Sequence, residues 1–413
     1  MKKRLLVIDG MFFANRTLFG AQAANETLTL NSEQEQHNLL SMMHNSIMNI
    51  LQSFNNDQHT LIHNVIIVED YDSWRKHYPV YKPLYFERIG QEHVPVLGYK
   101  ENRKEKKEKS EINYDNFYGV SHQFFKEINS KYPVLKVAGC EGDDLIMLLS
   151  KTFAKSDDYE LLVFCTDGDL VQTVNDNCML FRDIRSKDCP CGEFVISPNK
   201  MHEYMSGKNV SAEARLLSGL VNMQTDMDIL FSMCFNSTQT IKREPGKGIR
   251  YATPIQIALT KCVCGDAKDN IFPILRKPKS ETAKKNLSVS EKQLVKTVEM
   301  ILGKFNEKNC YQVMNDKETR DDVFTTLRSV FKDDNYPLDK IEEHFQHNYK
   351  INVLTMKNLS EQLVDEYKRT FTTDILPRIK EPLDSSLFEK DIRTTRDNAT
   401  DLLASSAPKD LLY

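Results

Sequence analysis

The stretch Glu141-Gly142-Asp143-Asp144 places three carboxylates in four residues, between the strand-like Val134-Leu135-Lys136-Val137 and the apolar, helix-like Leu145-Ile146-Met147-Leu148-Leu149. On a helix Glu141 and Asp144, three apart, share a face, while Asp143 leans toward the neighbouring strand ends. Crowding of like charge is costly without a cation, although an acidic first turn also complements the helix dipole. Other apolar runs end the same way. Arg4-Leu5-Leu6-Val7-Ile8 leads into Asp9-Gly10, Asn64-Val65-Ile66-Ile67-Val68 into Glu69-Asp70, and Glu160-Leu161-Leu162-Val163-Phe164-Cys165 into Thr166-Asp167-Gly168-Asp169. Hard oxygen donors without His or Cys favour Mg2+ or Mn2+, and so many carboxylates suit two ions about 4 Å apart. Phosphoryl chemistry is the natural use of such a pair.

The elements that must position these acids follow from periodicity. Carboxylates at the C-terminal ends of buried strands lie where open α/β sheets place their ligands. Between the strands, Ser32-Glu33-Gln34-Glu35 is a capping box that opens a helix carrying Leu39, Leu40, Met43, Ile47, Ile50 and Leu51. Another helix is expected from about Asn116 to Ile128, with Phe117, Val120, Phe124 and Ile128 on one face. The alternation predicts an α/β fold with a central, mostly parallel sheet flanked by helices and the acids gathered along one edge. Further on, Thr253-Pro254 reads as an N-cap followed by proline at the first helical position. Later helices are expected near Glu291 to Phe305, Arg320 to Phe331 and Leu338 to Phe345.

A chain of 413 residues has room for two or three domains, and 40% apolar residues suffice for real cores. The first apolar run ends too soon for a signal peptide, and no stretch is long enough to span a bilayer. Nine cysteines, an odd number, point to reduced thiols in a cytoplasm-like compartment. The pairs Cys189/Cys191 and Cys262/Cys264 have Cys-x-Cys spacing, not the two-residue gap of a zinc knuckle, and read as structural or surface thiols. His122 and His344 read as packing or surface residues on helices. The net charge of −4 says nothing for nucleic acid, but basic residues cluster at Lys100 to Lys109, at Lys242, Arg243, Lys247 and Arg250, and at Arg276-Lys277-Pro278-Lys279. The first cluster is either a solvated helix face or, given the aromatic and basic stretch from Trp74 to Phe86, a contact for phosphates and bases.

Val7-Ile8-Asp9-Gly10, Val68-Glu69-Asp70, Tyr99-Lys100-Glu101-Asn102-Arg103, Glu141-Gly142-Asp143-Asp144, Cys165-Thr166-Asp167-Gly168-Asp169 and Gly265-Asp266-Ala267-Lys268-Asp269-Asn270 stand in a familiar order. It is the order of the flap endonuclease / 5′-3′ exonuclease family, and the chain most resembles the bacteriophage ribonuclease H branch, which removes RNA primers and 5′ flaps. The resemblance runs from residue 1 to about residue 375. It implies a PIN-like 5′-nuclease core over residues 1–200 with an arch region at about 74–115. A helical C-terminal DNA-binding subdomain over 201–375, with an insertion at about 205–250, and a flexible tail over 376–413 complete the expected organisation.

The implied activity is Mg2+-dependent hydrolysis of a phosphodiester near the 5′ end of a strand, leaving a 5′-phosphate and a 3′-hydroxyl, with two ions and Mn2+ as a substitute. The family pattern puts Asp9, Asp70, Glu141 and Asp143 around the first ion and Asp167, Asp169 and Asp266 around the second, with Asp144 and Asp269 close by. It makes Lys100 and Arg103 the catalytic pair that holds the scissile phosphate, and Tyr99 a stacking residue. Arg75 and Lys82, in a second stretch of similar character, remain alternatives for the arch contacts. Ile271 to Lys279 replaces the family's Gly-x-Gly hairpin, so duplex contacts are expected from side chains: Lys104, Arg276, Lys277 and Lys279. The expected partners are DNA and RNA–DNA hybrid at a 5′ flap, nick or primer junction. The terminal Leu411-Leu412-Tyr413 resembles peptides that hold a sliding clamp, so a clamp or a single-strand DNA-binding protein is a further expected partner. A monomer in the cytoplasm, the host's if the chain is phage-encoded, is expected. Two other classes compete. A haloacid-type phosphatase needs a second acid two residues after Asp9, where Met11 stands, and a non-catalytic binder of branched DNA has no need of the acids retained here.

Overall fold

Near-continuous apolar runs make strands that are buried on both faces, and the strands seen in the sequence form in this way. The computed structural model describes residues 2–24, 28–55, 62–78, 99–100, 102–182, 193–195, 254–278, 286–331 and 337–383. The expected insertion at 205–250, Lys82, Lys279, the Cys189/Cys191 pair and residues 384–413 lie outside the described residues. The chain divides into two units: Met1–Asp72, Lys109–Phe235 and Glu361–Tyr413 make the first, and Ser73–Glu108 with Asn236–Ser360 the second.

In the first unit β1 (Lys3–Asp9), β2 (Ile62–Val68), β3 (Val134–Leu135), β4 (Tyr159–Phe164) and β5 (Cys178–Arg182) run parallel in the order β3-β2-β1-β4-β5. Strand β6 (Glu193–Val195) is antiparallel to β5 at the far edge. Leu6 lies opposite Val65 and Leu162, and Ile8 opposite Ile67 and Phe164. These side chains line one face, which α1 (Gly10–Ala24), α2 (Glu33–Asn55) and α3 (Tyr114–Ile128) cover through Phe13, Leu18, Met43, Ile47, Phe117 and Phe124. Helix α4 (Gly142–Phe153) packs on β1, β2 and β4. Burying each Leu, Ile or Phe contributes about 1.5–3 kcal/mol, so a one-residue slip of any strand would forfeit several such terms at once.

Two local features differ from expectation. Strand β3 stops at Leu135 rather than continuing to Val137, because the chain turns there: Gly139 has φ +88 and Cys140 N–H bonds Val137 O at 3.1 Å, which delivers Glu141 to the start of α4. The tail, expected from 376, stays helical to Lys380 and bonded to Leu383. Short β3 leaves the first half of β2 without a neighbour on that side. The segment Glu361–Leu383 fills the gap, with Asn64 Nδ2 donating to Arg378 O and Glu381 O at 3.0 and 2.8 Å and Leu383 N–H to His63 O at 2.8 Å. An uncovered strand edge is a template for wrong pairing, and this brace removes it.

The second unit is helical. Helices α5 (Pro254–Cys264), α6 (Glu291–Leu302), α7 (Glu307–Asn315), α8 (Lys317–Val330) and α9 (Leu338–Asn352) share a core that includes Leu259, Val263, Leu294, Val313, Phe324 and Phe345. Their ends are capped by Ser290 with Gln293, by Asn306, by Asp316 and by left-handed Gly303. Strands β7 (Arg276–Pro278) and β8 (Asn286–Ser288) pair antiparallel. The turn Trp74–His77 belongs to this unit, and Arg75 within it is buried, with Nε donating to Ile351 O at 3.0 Å and its guanidinium over the Trp74 ring. No described helix is long and apolar enough to cross a membrane.

Candidate functional site

Asp9 closes β1, and its Oδ1 accepts the Phe12 N–H at 2.9 Å, which fixes the carboxylate against the first turn of α1. Asp70 stands two residues beyond the end of β2, and its Oδ1 accepts the Gly142 N–H at the start of α4. A Cβ at Gly142 would lie 2.8 Å from Asp70 Oδ1 and 3.8 Å from Asp9 Oδ1, so the missing side chain is what lets two carboxylates converge on the bare end of the helix. The helix end favours one negative charge there, not several. Burial and then the charge of Asp70 push the Asp9 carboxyl up to about 7. Asp167 adds to the rise, while the Phe12 and Met11 N–H groups offset part of it.

The remaining acids of this unit divide into two kinds. Asp144 is 1% exposed, and its Oδ2 accepts the Glu141 N–H at 3.3 Å across the first turn of α4, so one of its oxygens satisfies backbone. Glu141 is also buried, while Asp143 is partly exposed and Asp167 exposed. Asp167 Oδ1 accepts the Asp169 N–H at 2.9 Å, a local turn that leads into the 3-10 turn Asp169–Thr173. The row therefore comes from the ends of β1, β2 and β4 and the start of α4.

The other sequence-predicted acids lie in the helical unit. After α5, Gly265 with φ +70 turns the chain into a loop closed by Asp266 N–H to Ile271 O at 2.9 Å and Ile271 N–H to Asp266 O at 2.8 Å. Asp266 is paired: Lys261 Nζ lies 2.7 Å from its Oδ2, and the Lys268 N–H donates to its Oδ1 at 2.9 Å. Burial pushes this carboxyl up, but Lys261 and the Lys268 N–H outweigh burial and hold it below its ordinary value. Asp269 accepts the Lys100 N–H on its backbone carbonyl at 3.1 Å and pairs with the Arg103 guanidinium through its side chain. Lys100 has φ +59, and its Nζ sits 4.8 Å from the Tyr99 ring centroid. Lys104 is exposed on the short helix Asn102–Glu108. Arg276 lies over the Phe272 ring at 4.9 Å, and Lys277 lies on β7. Arg75, an alternative to the Lys100 and Arg103 pair, is buried in the helical unit, with its Nε on Ile351 O.

Sequence reasoning missed several partners. Lys261 carries a weak signal, a cation in the last turn of a helix. The Arg103–Asp269 pair and the contacts of Glu69 with His122 and Lys136 have none, because their members are far apart in sequence.

Residues 86–215 match the family described as the 5′-3′ exonuclease, N-terminal resolvase-like domain. No curated protein matches the chain. Among solved structures, the chain is similar to bacteriophage T5 5′-exonuclease with bound zinc ions, at 13% identity and a TM-score of 0.45, covering 90% of this chain and 98% of that one. It is also similar to a bacteriophage T5 flap endonuclease variant in a pseudo-enzyme–product complex with DNA and metal ions, at 13% identity and a TM-score of 0.47, covering 92% and 100%.

Proposed function

We propose that this chain is a structure-specific 5′ nuclease, a flap endonuclease and 5′-3′ exonuclease that hydrolyses phosphodiesters near the 5′ end of DNA or RNA–DNA strands in replication of the phage type. The observation that carries the reading is the convergence of Asp9 and Asp70 on the N-terminus of α4, where burial and then the charge of Asp70 push Asp9 up to about 7. The donor set fits hard divalent ions: every candidate ligand is a carboxylate, and Gly142 leaves space where a side chain would stand. Asp9, Asp70, Glu141, Asp143, Asp167 and Asp169 would hold Mg2+, and Asp266 and Asp269 join the reading through the family resemblance. Bound there, such ions supply charge neutralisation for an in-line displacement at phosphorus.

The chain's own groups do the rest. The Phe12 and Gly142 N–H groups orient Asp9 and Asp70 before any ligand arrives. Asp144 stiffens the first turn of α4 by capping it, which fixes the direction of Glu141 and Asp143. Lys100 and Arg103 bind the scissile phosphate and offset its developing charge. The loop at Asp269 sets the backbone of Lys100 for that task. Tyr99, Lys104, Arg276, Lys277 and Lys279 contact nucleic acid, and residues 408–413 engage a sliding clamp or single-strand DNA-binding protein. The test is incubation with 5′-labelled flap, nicked and RNA–DNA hybrid substrates with and without Mg2+. Metal-dependent release of short 5′ products is expected, and no cleavage of any of the three overturns the reading.

A further inference from the structure

We propose that Tyr71, Lys136 and His122, gathered by the buried carboxylate of Glu69, form a contact surface for one strand of a nucleic acid beside Asp70. The proposal deepens the nuclease reading and rests on it for the identity of the ligand. Glu69 is 5% exposed, and a buried carboxylate persists only with partners. Its Oε1 takes two: Lys136 Nζ at 2.6 Å, from the residue after β3, and His122 Nδ1 at 2.7 Å, from α3. Lys136 Nζ also lies 4.8 Å from the Tyr71 ring centroid. Glu69 and Tyr71 therefore project to one side of the chain, while Asp70 between them projects to Gly142 on the other. The backbone that carries all three is fixed by Glu69 N–H to Leu135 O at 3.0 Å and Tyr71 N–H to Cys140 O at 3.1 Å.

What this arrangement presents outward is one ammonium, an imidazole and a phenol ring. The side chains of His122 and Lys136 are 54% and 37% exposed, and Tyr71 is 47% exposed. Each retains capacity for a ligand. An ammonium has three N–H donors, so Lys136 has donors beyond the one given to Glu69. A carboxylate only accepts, so the imidazole proton of His122 sits on Nδ1 and its Nε2 is the remaining polar atom. An exposed ring with neighbouring N–H donors is how single strands are held without regard to sequence, the base on the ring and the phosphates on the cations. The carboxylates one residue away repel a nucleic-acid strand arriving at Asp70, and Lys136 is placed to offset that repulsion.

The experiment is single-turnover cleavage of a 5′-flap DNA by the full chain in Mg2+ at varied protein concentration and salt, paired with anisotropy binding of the same labelled DNA. Tyr71→Ser should raise the half-saturating concentration about tenfold, with a smaller effect on the plateau rate, and Tyr71→Phe should restore it. Lys136→Gln should flatten the log–log salt dependence by about 0.7, the value for one contact to a single strand. A structural role for Glu69 alone moves neither quantity in Tyr71→Ser, and because Tyr71 is exposed this variant decides the matter even if Lys136→Gln folds poorly. Unchanged half-saturation in Tyr71→Ser, with wild type cleaving, overturns the proposal. If wild type binds but never cleaves and Tyr71→Ser weakens binding, the nuclease reading falls and this surface stands.

Discussion

Asp9 at the end of β1 and Asp266 after α5 have the same chemistry and are shifted in opposite directions. Asp9 accepts the Phe12 N–H and Asp70 the Gly142 N–H, and burial with the charge of Asp70 pushes Asp9 up to about 7. Asp266 is also partly buried, yet Lys261 and the Lys268 N–H hold it down, and Asp269 carries Arg103. The difference teaches that carboxylates of one type are shifted in opposite directions by what packs beside them: a second carboxylate next to Asp9, a lysine next to Asp266. Asp266 and Asp269 organise a loop and the Lys100 segment in addition to any role toward a metal.

The sharpest way to break this contrast is at the row itself. Asp143→Asn and Asp167→Asn should each lower Mg2+-dependent cleavage by more than about a hundredfold, since even indirect partners of metal ligands cost about 10–100-fold. DNA binding should hold or tighten, because each change removes a repulsive charge, and near wild-type cleavage by either variant ends the assignment. Gly142→Ala comes next. Its Cβ would stand 2.8 Å from Asp70 Oδ1 and displace the carboxylate, so metal affinity measured by calorimetry should fall by about 10–100-fold while the fold persists by circular dichroism.

On the other side of the comparison, Lys261→Met should leave Asp266 buried without its cation. The helical unit should lose about 2 kcal/mol in urea unfolding, with Lys261→Met/Asp266→Asn recovering part of it. Equal stability of the single variant and wild type would show that Asp266 does not depend on the pair. The smallest effect concerns pH. Burial depresses His344 to about 3, with the charge of His347 adding to it, and burial depresses His347 to about 4. Imidazoles in the unfolded chain titrate near 6.5, so the unfolded state binds more protons below that value. Their contribution to stability is complete above about pH 6.5 and is lost progressively as pH falls toward 4 and then 3. The carboxyl of Asp266, held low, adds its own loss as pH falls below about 3.8. The urea midpoint should therefore drop between pH 7 and 4.5, and His344→Leu should flatten that limb.

The strand-end acids, the parallel α/β layers and the helical C-terminal region were legible in the sequence because each rests on local pattern. Buried strands are apolar runs, helices repeat at 3.6 residues, and Ser32 with Glu35 caps α2 within a single turn. The same logic reached Asp9 and Asp70, whose positions follow from where a strand ends. It did not reach what holds them. Asp144 reads as a third oxygen on the Glu141 face, yet it turns inward because the Glu141 N–H needs an acceptor. Gly142 reads as a spacer in an acidic run, and only the approach of β2 shows that it makes room for Asp70. Glu69, His122 and Lys136 come from β2, α3 and the end of β3 and meet at one oxygen. Arg103 meets Asp269 across an even longer separation. Chain pattern determined which residues stand at the ends of elements; packing decided which of them share a charge, because electrostatic pairing depends on distance in space and leaves no period in the sequence.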